Sequence, residues 1–181
     1  MTTWFTADTH FGHVRIIELA GRPFADVAAM DEALIAAWNA RVQPDDTVWH
    51  LGDFAFGRDQ RIDAIFHRLS GVKPLVAGNH DDGNEAILTL PWASISQIAT
   101  TVVDGQRIAM CHYPMKSWPE ATKGTIQLFG HMHGRLSGTW RSLDVGVDCW
   151  GYQPVALGEI RRRLATLPVD PDLEATPGRR R

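Results

Sequence analysis

The stretch Thr3-Trp4-Phe5-Thr6-Ala7-Asp8-Thr9-His10-Phe11-Gly12-His13 sets the reading of the whole chain. Its first five residues, rich in β-branched and aromatic side chains, read as a buried strand, and residue types that bind metals follow where that strand must end. The arrangement returns along the sequence. Asp53 follows Thr47 to Leu51, Asn79 and His80 follow Pro74 to Ala77, His112 follows Arg107 to Cys111, and His131 with His133 follows Thr125 to Phe129. Carboxylate, imidazole and amide groups gathered at strand ends describe a two-metal hydrolytic centre better than they describe a packed core.

Working outward, Asp26 to Val42 places Val27, Met30, Leu34, Ala37 and Trp38 near helical spacing, with Pro44 as the stop. Gln60 to Leu69 repeats the pattern, closed by Gly71. Strand and helix therefore alternate over the first half, which predicts βαβ units and a crevice at the carboxyl ends of a parallel sheet. In the second half, Ser94 to Val103 and Arg107 to Cys111 flank the hairpin signal Asp104-Gly105. Thr125 to Phe129, Thr139 to Val147 and Pro154 to Val155 add further strands. The order predicts an α/β architecture in which a mostly parallel sheet stacks on a more antiparallel one, with helices outside both. Leu157 to Leu167 reads as a final helix carrying Arg161, Arg162 and Arg163. A single domain is expected over residues 1–167, and 168–181 reads as a poorly ordered tail rich in proline and arginine.

The chain has 181 residues, 44% hydrophobic and 22% charged, with a net charge of 18 minus 21, or −3. That balance excludes disorder and argues against a general nucleic-acid binder, leaving nucleic acid as a less favoured partner. The sequence shows no secretory signal and no run long enough to span a membrane, and Cys111 and Cys149 read as buried free thiols. A reduced, cytoplasmic protein is expected. Oligomeric state is open at this level.

Within the motifs, Asp8 and His10 are two apart, which at a strand end would turn both to one face, and the same holds for His131 and His133. Asp53, central in the ligand order, is the expected bridge between two cations, and Asn79 offers an amide oxygen. His80 is the expected general acid, with Asp81 orienting its imidazole. His13, Arg15 and Tyr113 follow ligand motifs closely enough to contact substrate, and Tyr113 opens the long connection to Gly124, which also carries Trp118. Asp148 is read either as support for a ligand histidine or as a turn residue, while His50 and His67 read as structural.

Taken in order, Asp8-x-His10, Gly52-Asp53, Gly78-Asn79-His80-Asp81, His112 and Gly130-His131-x-His133 resemble the motifs of the calcineurin-like metallophosphoesterase superfamily. The runs Asp8-Thr9-His10-Phe11-Gly12-His13 and Val145-Gly146-Val147-Asp148 look like its small bacterial phosphoesterase branch. The motifs run from residue 8 to 133, and family-like sequence extends from 1 to about 167. The resemblance implies a four-layer αββα sandwich of two stacked mixed sheets, with the metal site at the strand ends. It also implies one ion held by Asp8, His10, Asp53 and His133, and a second held by Asp53, Asn79, His112 and His131. His80 takes the place of the catalytic histidine. Manganese is the first expectation for the two divalent ions, with iron, zinc or nickel as alternatives. The implied reaction is hydrolysis of a small or generic phosphomonoester or phosphodiester by a hydroxide shared between the ions. A non-catalytic binding scaffold and a nuclease are the other readings. One departure is that protein phosphatases of the superfamily carry Asp-Arg-Gly shortly after Gly-Asp, whereas here Gly52-Asp53-Phe54-Ala55-Phe56-Gly57 precedes Arg58. Arg58 is thus a displaced candidate for substrate contact, and a phosphoprotein substrate is disfavoured.

Overall fold

The computed structural model describes residues 1–57 and 60–171, so Arg58 and the tail from 172 onward lie outside the described residues. The opening stretch forms β1 (Thr3–Thr6), next to the centre of a sheet that also contains β2 (Thr47–His50), β3 (Pro74–Val76), β4 (Ser94–Ser96) and β9 (Val155–Ala156). The sheet order is β4-β3-β2-β1-β9, with all pairs parallel except β1 with β9. Its crossovers carry α1 (Ile16–Leu19), α2 (Val27–Asn39), α3 (Gln60–Arg68) and α4 (Glu85–Leu88). Asp26 caps α2 by accepting the Ala29 N–H at 2.8 Å, and α2 buries Met30, Leu34, Ile35 and Trp38. These side chains share a core with Ile62, Ile65 and Phe66 of α3 and with Val48 and Leu75 of the sheet.

The second sheet has the order β5-β6-β7-β8, formed by β5 (Ile98–Val103), β6 (Gln106–Cys111), β7 (Ile126–Phe129) and β8 (Ser142–Asp144). Asp104 and Gly105, at φ 46° and 73°, make the hairpin turn that the sequence signals. The rest of this sheet corrects the expectation of a more antiparallel layer, because β6 with β7 and β7 with β8 are parallel. The connections 112–125 and 130–141 are long enough to cross over without an α-helix. Ser94 to Val103 is likewise two strands: β4 pairs with β3 and β5 with β6, so the chain changes sheet at Gln97. The strand expected over Thr139 to Val147 shrinks to β8, and the last helix, α5 (Leu157–Leu164), stops short of Leu167.

Between the sheets, Phe5, Leu51 and Val76 meet Ile108, Met110, Leu128 and Val145, and Leu157, Ile160 and Leu164 of α5 join the same core. The far face of the second sheet is covered at Ala109 by Trp118 and Ala121 from the 112–125 connection. Trp118 is buried, and its indole N–H donates to the Thr125 carbonyl at 2.9 Å. It belongs to the packing of that layer. Among the described residues no helix is long and apolar enough to cross a membrane.

Candidate metal centre

The ligand loops leave their strands in an unusual backbone conformation. Asp8, His10, Asp53, His131 and His133 all have φ between 49° and 68°, the left-handed region that non-glycine residues rarely occupy. This corrects the expectation that strand alternation aligns Asp8 with His10: β1 ends at Thr6, and a left-handed turn brings the two side chains together. Hydrogen bonds across the loops over-determine the turn. The Asp8 N–H donates to the Gly52 carbonyl at 2.9 Å and the His10 N–H to the Asp53 carbonyl at 3.0 Å. The buried Arg22 guanidinium donates to the carbonyls of Asp8 at 2.7 Å and Thr9 at 3.0 Å.

Asp81 has a role that sequence reasoning misassigned. Its carboxylate accepts the N–H groups of Asp53 at 2.7 Å, Phe54 at 2.9 Å and Gly78 at 2.8 Å. It ties two ligand loops together and is not the group that orients the His80 ring. Gly52 must be glycine here: its φ is +92°, and a Cβ would stand 2.6 Å from both the Gly78 nitrogen and His112 Nδ1.

These loops bring all the sequence-named ligands into one place. Asp53 Oδ2 lies 3.6 Å from His10 Nε2, 3.5 Å from His112 Nε2 and 4.0 Å from His80 Nε2. On one side, donor atoms of Asp8, His10 and His133 lie within 4.8 Å of one another, and on the other those of Asp53, His112 and His131 do the same. Asn79 Oδ1 joins the second group, 3.3 Å from His112 Nε2 and 3.1 Å from His131 Nδ1. The outward nitrogens of two histidines are already engaged. His133 Nδ1 is 2.7 Å from Asp148 Oδ2, and His112 Nδ1 is 2.7 Å from the Leu51 carbonyl, leaving Nε2 of each ring for the centre. Asp148 is itself gripped by Arg22, whose Nε and terminal nitrogen each donate at 2.8 Å.

Burial and mutual charge shift the titration of the donor groups. Burial raises the Asp8 carboxyl to about 7 and lowers the His10 imidazole to about 2. For Asp53, burial is outweighed by the hydrogen bond and charge of His112, so its carboxyl stays below the usual range. His112 is raised to about 9, the cost of burial being overcome by Asp53. Among the described residues His10 Nε2 is buried without a hydrogen-bond partner, and with the proton on Nδ1 its lone pair would be available to an electron-pair acceptor. Oxygen and imidazole donors without a thiolate fit a divalent transition ion.

A cavity of about 230 Å³ opens over these groups, lined by His10, Asp53, Asn79, His131 and His133 together with His13, His80, Ile16, Leu19, Ala20 and Arg135. His13 faces this cavity, with its Nδ1 3.3 Å from that of His10. Tyr113 packs its ring against His112 and His131 at 5.0 and 4.9 Å between centroids. Arg15 is exposed at the start of α1 and does not line the cavity. His50 is buried beside Thr9 Oγ1 at 3.0 Å, and His67 is an exposed partner of Asp63; neither lines the cavity. Sequence reasoning missed Arg22 and Arg135. Arg22 sits in a Gly-Arg-Pro turn with no periodic signal. Arg135, two residues beyond His133, was legible only as a cation close to a ligand motif.

Oxygen and nitrogen donors grouped around Asp53, at the carboxyl edge of two stacked mixed sheets, define an α/β class with groups that could hold metal. Residues 1–158 match the calcineurin-like phosphoesterase superfamily domain, and the chain belongs to that family. It is 28% identical to an uncharacterised protein of Methanocaldococcus jannaschii over 163 residues, covering 85% of this chain and 86% of that one. The fold is shared with a protein of unknown function from Aquifex aeolicus, at a TM-score of 0.70 and 24% identity, over 89% of this chain and 98% of that one. It is also shared with a novel archaeal phosphodiesterase, at a TM-score of 0.50 and 18% identity, over 81% and 82%.

Proposed function

We propose that this chain hydrolyses phosphoesters, with two divalent ions, manganese in the first place, seated on either side of Asp53. The observation that carries the reading is the position of Asp53 Oδ2, at 3.6 and 3.5 Å from His10 and His112 and so between two groups of donors. Ions bound there would supply positive charge to the phosphate oxygens and lower the pKa of a coordinated water. Asp8, His10 and His133 would hold the first ion, Asn79, His112 and His131 the second, and Asp53 would contribute to both. His80 lines the cavity wall with Nε2 4.0 Å from Asp53 Oδ2, and in this reading it would donate a proton to the departing alkoxide. The Arg22–Asp148–His133 chain fixes the ring of one ligand, and Asp81 fixes the loops of two others.

Because the full ligand set and His80 are present together, catalysis is favoured over a scaffold that binds without turnover. The cavity suits a small phosphoester, and a cytoplasmic setting accords with the free thiols of Cys111 and Cys149. The test is direct. Manganese-loaded protein should hydrolyse a bis-aryl phosphate or an aryl monophosphate and stop when the metal is chelated. Full turnover after all metal is stripped would overturn the reading.

A further inference from the structure

Part of the cavity wall comes from residues outside the candidate metal centre. Ile16, Leu19 and Ala20 of the α1 segment form part of its wall; Ile16 is buried in the core behind it, whereas Leu19 is 63% exposed although it is a large apolar side chain. Arg135 is the only lysine or arginine among the described residues that line the cavity. Its Nε is tethered to the Met132 carbonyl at 3.1 Å, which aims the guanidinium without occupying its terminal nitrogens. The rim nearby is also apolar. Phe56, 50% exposed, stacks on His13 at 4.4 Å and 15° and lies 6.0 Å from the His80 ring, while Tyr113, 43% exposed, packs against His131. Exposed apolar groups gathered around a polar centre mark a place where a ligand covers them.

Resting on the hydrolase reading above, we propose that the substrate is an ester of an apolar, ring-bearing alcohol. Its organic part lies along Ile16, Leu19 and Ala20, and Arg135 grips an oxygen of the phosphate. A polar sugar alcohol would leave this shelf without a partner, whereas an aromatic ring would cover it and bring its apolar faces out of water. Arg135 acts on the anion whatever the alcohol, and the α1 shelf reads the alcohol.

Two non-hydrolysable probes, phenylphosphonate and methylphosphonate, separate these roles by calorimetric binding to the manganese-loaded protein. Wild type should bind the phenyl probe about tenfold more tightly than the methyl probe. Leu19→Ser, at an exposed position, should abolish that preference with bound manganese unchanged. Arg135→Met should weaken both probes by a similar factor of about ten and keep the preference. Equal binding of the two probes to wild type, or a preference that survives Leu19→Ser, overturns the assigned alcohol. Undiminished binding by Arg135→Met overturns the assigned grip on phosphate. Turnover of an aryl phosphate by wild type is measured in parallel. Its absence alongside an intact phenyl preference would remove the hydrolase and keep the binding shelf, whereas turnover without the preference would do the reverse.

Discussion

At the scale of single residues, the histidines divide by which nitrogen is already committed. His133 and His112 each spend Nδ1 on a fixed acceptor, Asp148 Oδ2 at 2.7 Å and the Leu51 carbonyl at 2.7 Å, so each presents Nε2 to the centre. His80 donates its backbone N–H to Asp53 Oδ1 at 2.9 Å, and its ring lines the cavity with Nε2 4.0 Å from Asp53 Oδ2, grouped with His10 and Asp53. His80→Ala should therefore lower turnover by roughly 10² to 10⁴ with metal content unchanged, measured by steady-state kinetics beside elemental analysis. Loss of metal in that variant would make His80 a ligand. Asp148→Asn should weaken the metal site by roughly 10- to 100-fold, read by titration with manganese, because the His133 ring loses its ionic orienting partner. Unchanged affinity would reduce Asp148 to a residue that only packs the turn beside Arg22.

At the scale of elements, the strands do little beyond carrying each loop to one edge, and the loops between them do the positioning. Gly52→Ala should destabilise the fold by roughly 2 to 4 kcal/mol and reduce metal binding, since its Cβ would meet the Gly78 backbone from a conformation that alanine resists. Thermal unfolding and metal titration check both halves. The β1–β2 pair has a separate clamp in Asp46. Its carboxylate accepts the Thr2 N–H at 2.6 Å, the Trp4 indole at 2.9 Å and the Gln43 N–H at 3.0 Å. Those bonds hold its carboxyl down to about 2, from an ordinary value of 3.8. The depressed folded-state pKa means that this stabilisation is complete above pH 4 and fades as pH falls towards 2. Asp46→Asn should unfold at a lower temperature than wild type at pH 7, with the gap narrowing at pH 3. A gap that is the same at both pH values would contradict the role of the carboxylate charge. The candidate ligands were legible because each follows a short apolar run. The left-handed backbone of Asp8 and Asp53 was not, because the groups that hold it, Arg22 and the Gly52 carbonyl for Asp8 and Asp81 for Asp53, bond across turns that no sequence period marks. For the same reason the sequence marked Asp81 as a neighbour of His80, when its bonds run backwards to Asp53, Phe54 and Gly78. The parallel pairing of β6, β7 and β8 was hidden for a different cause: loops make those crossovers, and they leave no helical period to read.

At the scale of the whole molecule, two sheets joined at Gln97 and packed through Phe5, Leu51, Met110 and Leu128 bring ligands as distant in sequence as Asp8 and His133 to one edge. Such a centre binds metal only when the chain is folded, so saturating manganese should raise the unfolding midpoint and a chelator should reverse the shift. A midpoint that ignores manganese would mean that the ion has no preference for the folded chain. The central claim is that one carboxylate, Asp53, serves two ions at once. Elemental analysis of manganese-loaded wild type and Asp53→Asn, each also checked for intact secondary structure, tests it most directly. The account predicts two ions per chain in wild type and loss of both together in the variant. One ion in wild type, or a folded variant that loses one and keeps the other, would contradict it.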